Sequence, residues 1–346
     1  MRLLAEHRVA ILLHEGIRSH QGKTGLSYLR YGQASVVALI DEQCAGESLS
    51  RLTGIEKKVP IVASVSEALQ HNPNVLLIGI APSGGSLPES WWLEIKQAVE
   101  MGLSVVNGLH VPMALIFGNL QPGQWIWDIR QEPKNLSIGT GKARSLPGKR
   151  LVTVGTDMGI GKMSTAVELY RAAQKKGIES KFLATGQGGL AIAGDGVPLD
   201  AVRVDFAAGA VEKMVLDFAD EYFLLIIEGQ GSILHPGSSA TLPLIRGSQP
   251  TDLVLVHRAG QKHLLDLPQI AIPPLTEVIK LYENLASGGG IFGDVKVKAI
   301  ALNTAHLNAE NAQKEIDKVK QETGLPCTDV VRFGAEELLS EAIAIV

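Results

Sequence analysis

The stretch Gly155-Thr156-Asp157-Met158-Gly159-Ile160-Gly161-Lys162-Met163-Ser164 combines the residue types that can cradle a phosphate group. Three glycines let the backbone curl so that several N–H groups point inward, and Lys162 adds a full positive charge. A helix starting where the turn ends would add its dipole and its unpaired N–H groups at the same point. The usual phosphate loop reads Gly-x4-Gly-Lys-Ser/Thr and places its last hydroxyl on Mg²⁺. Here five residues separate Gly155 from Gly161, and Met163 stands where that hydroxyl belongs. A Mg²⁺ ion would take its oxygen from Ser164 or Thr165, or be held in another way.

Further residues could complete such a site. Tyr222 to Ile227 is a run of six apolar residues, which implies a central strand, and it delivers Glu228 at the carboxyl edge where open α/β sheets bind ligands. Glu228, followed by Gly229-Gln230-Gly231, is the candidate metal ligand. The segment from Lys181 to Gly189 reads as a strand ending in a flexible, donor-rich loop. Asp200 and Asp205 could each bind metal, act as a base, or cap a helix. Among nine histidines without metal-binding spacing, His235 lies just beyond the Glu228 loop. Asn303 ends an apolar run, where its amide could read an adenine edge by paired hydrogen bonds.

These residues need a scaffold that brings strand ends to one edge. Apolar runs predict strands over residues 8–13, 35–40, 75–80 and 104–107, and again over 151–154, 179–184, 222–228, 253–257 and 297–303. Helices are predicted over 66–70, 91–100, 166–176, 210–219, 274–286 and 309–323. In the helix after the phosphate loop, Val167, Leu169, Tyr170 and Ala173 alternate with Glu168, Arg171 and Gln174. Alternating strands and helices give an α/β fold with parallel sheets. Residues 1–135 form a doubly wound, Rossmann-like domain and 136–149 a linker rich in Pro, Gly, Lys and Ser. Residues 150–346 form a P-loop domain with a mainly parallel sheet. A faint echo of the phosphate loop occurs at residues 16–24, with the same spacing before Gly-Lys but no acidic strand end to match. Asp41 and the turn at Gly84 and Gly85 could line a pocket in that half or be simple turns.

A net charge of -4 argues against a nucleic-acid binder, since no basic stretch faces a run of phosphates. Cys44 and Cys327 support neither a disulfide framework nor a metal site. Without a signal peptide or a run of about 18 apolar residues, the expected location is a reducing cytoplasm, with no membrane partner.

Assembled in this way, the second half resembles the dethiobiotin synthetase type of P-loop protein. That family's Gly-Thr-Asp-x3-Gly-Lys-Thr resembles Gly155 to Met163, and its Lys-Pro-x-Ala-x-Gly resembles Lys181 to Gly186. Its Glu-Gly-x-Gly resembles Glu228 to Gly231, and its adenine-binding Asn resembles Asn303. Met163 and Phe182 depart from the pattern. A resemblance nearly end to end is to the DgcN-like family, a bacterial and archaeal group of D-glutamate N-acetyltransferase type long catalogued as a domain of unknown function. It rests on Gly-Thr-Asp-x3-Gly-Lys-Met at 155–163, Ala-Thr-Gly-Gln at 184–187 and Asp-Phe-x-x-Gly-Ala at 205–210.

Three activities are compatible with these resemblances. An N-acyltransferase would hold the diphosphate of acetyl-CoA on the loop, with Asp205 or His235 as base and N–H groups at residues 186–189 as oxyanion donors. An ATP-dependent ligase would use Lys162, Glu228-bound Mg²⁺ and Lys181 to orient the acceptor. A nucleotide-regulated binding protein would turn nothing over. The expected partners are a small amino acid such as D-glutamate and further copies of the chain in a homo-oligomer. The acceptor's carboxylate is expected to meet a cation of the first domain, Arg18, Lys23 or Arg30, facing the Asp205 region.

Overall fold

The computed structural model describes residues 2–81 and 87–344, so the turn at Gly84 and Gly85 lies outside the described residues. The chain divides into two compact units, Met1–Glu132 with Gln187–Ala201, and Pro133–Gly186 with Val202–Val346.

The first unit is built on a parallel sheet of six strands. These are β1 (Arg8–Leu12), β2 (Ser35–Ile40), β3 (Ile61–Val62), β4 (Val75–Ile78), β5 (Ser104–Asn107) and β6 (Ile126–Asp128). Their order is β3-β2-β1-β4-β5-β6, and every pairing is parallel. The apolar runs of β1 and β4 are buried on both faces because helices cover such a sheet on either side. Residues 16–24 form a tight turn, one 3-10 turn at His20–Gly22 and then the helix Lys23–Tyr31. A Cβ on Gly22 would lie 2.3 Å from the Gly16 carbonyl oxygen, so the two ends of this turn are pressed together. Asp41 is buried and accepts the N–H groups of Gln43 and Ile17, which makes it a cap for the turn after β2.

The second unit has its own parallel sheet. It comprises β7 (Lys149–Gly155), β8 (Ser180–Leu183), β9 (Leu224–Ile227), β10 (Asp252–Arg258), β11 (Lys296–Asn303) and β12 (Cys327–Thr328). The order β12-β11-β10-β7-β9-β8 puts β7 in the middle, between β9 and β10. Because all neighbours are parallel, the residues after β7, β8, β9, β10 and β11 leave from one edge of the sheet.

One expectation about a loop is corrected. Gln187–Ala193 is a helix rather than a flexible loop, and it packs on the helix Lys23–Tyr31 inside the first unit, where Gln187 Nε2 donates to Thr24 Oγ1 at 3.4 Å. The residues read as a linker are fastened to the helix Val204–Leu216 of the second unit. The buried Glu212 carboxylate accepts the Thr140 N–H at 2.7 Å and its hydroxyl at 2.9 Å. Those bonds, with the Lys142 and Ala143 N–H groups, hold Glu212 below the usual carboxylate range against the opposing effect of burial. Gly209 is required here, since a Cβ would fall 1.8 Å from the Ser137 carbonyl oxygen.

Candidate functional site

The buried strand β7 ends at Gly155 and turns directly into the helix Lys162–Lys175. Gly159 and Gly161 take left-handed φ values of 67° and 116°, which side chains with a Cβ adopt at a cost. Thr165 N–H donates to the Gly161 carbonyl at 2.9 Å, so the amides of Lys162, Met163 and Ser164 precede the first intrahelical bond and remain available to an anion. Lys162 is buried at 6% exposure, and its Nζ donates to the Asp157 carbonyl at 2.7 Å.

The loop is held from several directions. Asp157 Oδ2 accepts Gln261 Nε2 at 2.6 Å and the Leu265 N–H at 2.8 Å, while Oδ1 accepts the Met158 N–H. Thr156 Oγ1 bonds His257 Nδ1 at 2.9 Å, and burial pushes the His257 imidazole down to about 4. The Gly155 carbonyl accepts two hydroxyls, Ser232 at 2.9 Å and Tyr282 at 2.8 Å. Asn303 Nδ2 donates to the Ile160 carbonyl at 2.8 Å.

Beside the loop, Glu228 follows β9 and is buried at 5% exposure. Its Oε2 accepts the N–H groups of Thr185 at 2.9 Å and Gly186 at 3.2 Å, both just past β8. Gly229 donates to Thr153 Oγ1, and a Cβ on it would lie 2.9 Å from Lys162 Cδ, so the Glu228 strand end packs against the phosphate-loop lysine. Ser164 is half-buried one residue past Met163, and Thr165 is buried. Among the described residues no group of three or more His, Cys, Asp or Glu side chains could hold a metal ion.

His235 is 9% exposed, and its Nδ1 accepts the Gly237 N–H at 3.0 Å. That bond puts the proton of the neutral ring on Nε2, which is buried without a partner.

Lys181 sits in the first half of β8 and its Nζ stacks over the rings of Phe218 and Tyr222, at 4.7 and 5.7 Å, ahead of β9. Asp200 belongs to the first unit, where it pairs with Arg130 at 3.1 Å. Asp205 is exposed in the first turn of the helix Val204–Leu216. In the first unit Arg18 pairs with Glu47 at 2.5 Å, Lys23 is exposed and Arg30 is half-buried. His257, Tyr282 and Thr153 were not expected. The one signal for any of them is Thr153, a hydroxyl inside an otherwise apolar strand.

A model described as the P-loop domain of a domain of unknown function, DUF1611_C, matches residues 137–339, and its Rossmann-like companion, DUF1611_N, matches residues 42–132. The chain is 34% identical to a D-glutamate N-acetyltransferase from Pseudoalteromonas sp, over 86% of this chain and 90% of that one. It is 37% identical to a D-glutamate N-acetyltransferase from Tritonibacter scottomollicae, over 82% and 85%. A crystal structure of a DUF1611 family protein from Anabaena variabilis is 61% identical, with a TM-score of 0.95 over 97% of this chain and 99% of that one.

Proposed function

We propose that this chain, which belongs to the DUF1611 family, is an N-acetyltransferase that moves an acetyl group from acetyl-CoA to the amine of a small acidic amino acid, D-glutamate in the first instance. The observation that carries this reading is the identity of a third or more, over most of both lengths, to two proteins of that name. The geometry adds support at the phosphate loop. A diphosphate needs a ring of N–H groups and one cation, and residues 159–164 with buried Lys162 supply both. In the usual phosphate loop a metal-bridged triphosphate draws on a hydroxyl at the residue after the lysine, and here Met163 leaves that to Ser164 or Thr165.

Coenzyme A presents the acetyl group as a thioester, an acyl carbon open to attack by an amine. In the transfer the acceptor's ammonium group gives up one proton before attack, its nitrogen forms a bond to the acyl carbon, and the carbon–sulfur bond breaks with the sulfur leaving as thiolate while the nitrogen gives up its second proton to solvent. Lys162 and the amides of the loop hold the phosphates. His235, with its proton on Nε2, offers a donor to an oxygen that gains negative charge. The first proton goes to Asp205 or to solvent, since Asp205 is an exposed carboxylate able to exchange with water.

Calorimetric titration with acetyl-CoA in a chelator, and separately with ATP plus Mg²⁺, tests the reading. Saturable binding of acetyl-CoA without metal is expected. Binding of ATP alone, dependent on Mg²⁺ and lost in Glu228→Gln, would replace this reading with an ATP-dependent ligase.

A further inference from the structure

The phosphate loop is usually treated as the part of a site that binds phosphates, and the asparagine at a neighbouring strand end as the part that reads the base. In this chain the two are joined. Asn303, the last residue of β11, donates from Nδ2 to the carbonyl of Ile160, the residue between the two left-handed glycines of the loop. Its Oδ1 accepts the Ala305 N–H at 3.1 Å, so both ends of the amide are bonded within the protein.

The next residues are closed in the same way. Thr304 gives its N–H and its hydroxyl to Asp329 Oδ2, at 2.9 and 2.5 Å. Arg332 donates to the carbonyls of Thr304 and Leu307, at 3.3 and 2.8 Å. Asp329 in turn caps the short helix Val330–Phe333 through the N–H groups of Val331 and Arg332. The strand end beside the loop thus spends its polar groups internally.

Holding the Ile160 carbonyl has a direct consequence for the loop. In a planar trans peptide the C=O of one residue and the N–H of the next point in opposite directions. Fixing the Ile160 oxygen on Asn303 therefore aims the Gly161 N–H away from Asn303, as a donor for phosphate oxygen. Between glycines at φ 67° and 116° that peptide would otherwise rotate at small cost. An immobilised donor binds an anion more tightly than a mobile one, because less conformational freedom is lost on binding.

We propose that Asn303 is a positioning residue of the phosphate loop that sets its affinity for a diphosphate, and that the ligand's base is not read through this side chain. The proposal rests on the reading that residues 155–164 hold the diphosphate of the acetyl donor.

The test titrates the full chain, in a chelator, with inorganic pyrophosphate, which has no base, and with ADP. Wild type, Asn303→Ala and Asn303→Asp are compared. The alanine variant is expected to lose the same factor in affinity toward both probes, about fivefold to tenfold for one hydrogen bond. The aspartate variant should lose more, since a carboxylate cannot donate to the Ile160 carbonyl and repels the phosphates. A loss confined to ADP, with pyrophosphate binding unchanged, would make Asn303 a base reader and overturn the proposal. Equal affinity in wild type and variants would overturn it too. Hydrogen exchange of the Gly159 to Lys162 amides gives a readout independent of ligand. It should be faster in Asn303→Ala at unchanged melting temperature, and an unchanged rate would refute the loop-holding role. If the wild type binds neither probe, the reading of the loop as a diphosphate site fails, and the exchange rates alone still decide for or against Asn303.

Discussion

Inside the phosphate loop the Lys162 ammonium lies 2.7 Å from a main-chain carbonyl, a neutral partner that a phosphate oxygen would replace with a charged one. A charge-assisted contact of this kind contributes about 1.5 to 3 kcal/mol, so Lys162→Ala should weaken acetyl-CoA binding roughly tenfold to a hundredfold. Calorimetry on the folded variant checks this, and an unchanged dissociation constant would remove the lysine from the site. His257 makes the loop sensitive to acid. Its ring is held down to about 4 by burial, against 6.5 in the unfolded chain, so between these values the unfolded chain binds a proton that the native ring refuses. Its contribution is complete above pH 6.5 and is lost as pH falls toward 4, on the order of 3 kcal/mol. Denaturant unfolding of wild type and His257→Gln over this range should give curves that converge as pH falls. Parallel curves would show that His257 does not titrate in this way.

Among the elements, glycines divide into those that touch something and those that do not. Gly209 faces the Ser137 carbonyl at 1.8 Å from its would-be Cβ, so Gly209→Ala should detach the segment around Thr140 and cost more than about 2 kcal/mol. Gly188, in the helix Gln187–Ala193, has nothing within 4 Å of that position. Gly188→Ala should therefore stabilise the protein by about 0.5 to 1 kcal/mol through helix propensity. Thermal unfolding of the two variants measures both, and similar shifts would contradict the packing described. The same contrast explains what the sequence could convey. The apolar run at 35–40 and the amphipathic helix Ala309–Thr323 carry their own pattern and are legible at their boundaries. The strands Ile61–Val62 and Cys327–Thr328 are two residues long and have no period to read. The helix Gln187–Ala193 opens Gln-Gly-Gly and is supported by packing on another helix rather than by its own propensity. In the site, Lys162 and Glu228 could be found because they end local motifs. His257 and Tyr282 could not, since they meet the loop from 101 and 127 residues away and the fold alone brings them there.

For the molecule as a whole, both cysteines are buried and their thiols are pushed up by desolvation, that of Cys327 to about 12. Neither should react with a maleimide under native conditions, and both should react once the chain unfolds. Rapid native labelling, read by mass spectrometry, would contradict the packing around them. No helix among the described residues is long and apolar enough to cross a membrane. The P-loop unit carries the loop proposed to hold the acetyl donor, and the similarity to two D-glutamate N-acetyltransferases supports the reaction proposed for it. The most direct test of that claim mixes the purified chain with isotopically labelled acetyl-CoA and either enantiomer of glutamate, in EDTA, and follows the label by mass spectrometry. The account predicts label in N-acetyl-D-glutamate at a rate that falls at least tenfold in Lys162→Ala, with little or none in the L-product. Label that stays on coenzyme A with both enantiomers, while the protein is folded and binds acetyl-CoA, would contradict it.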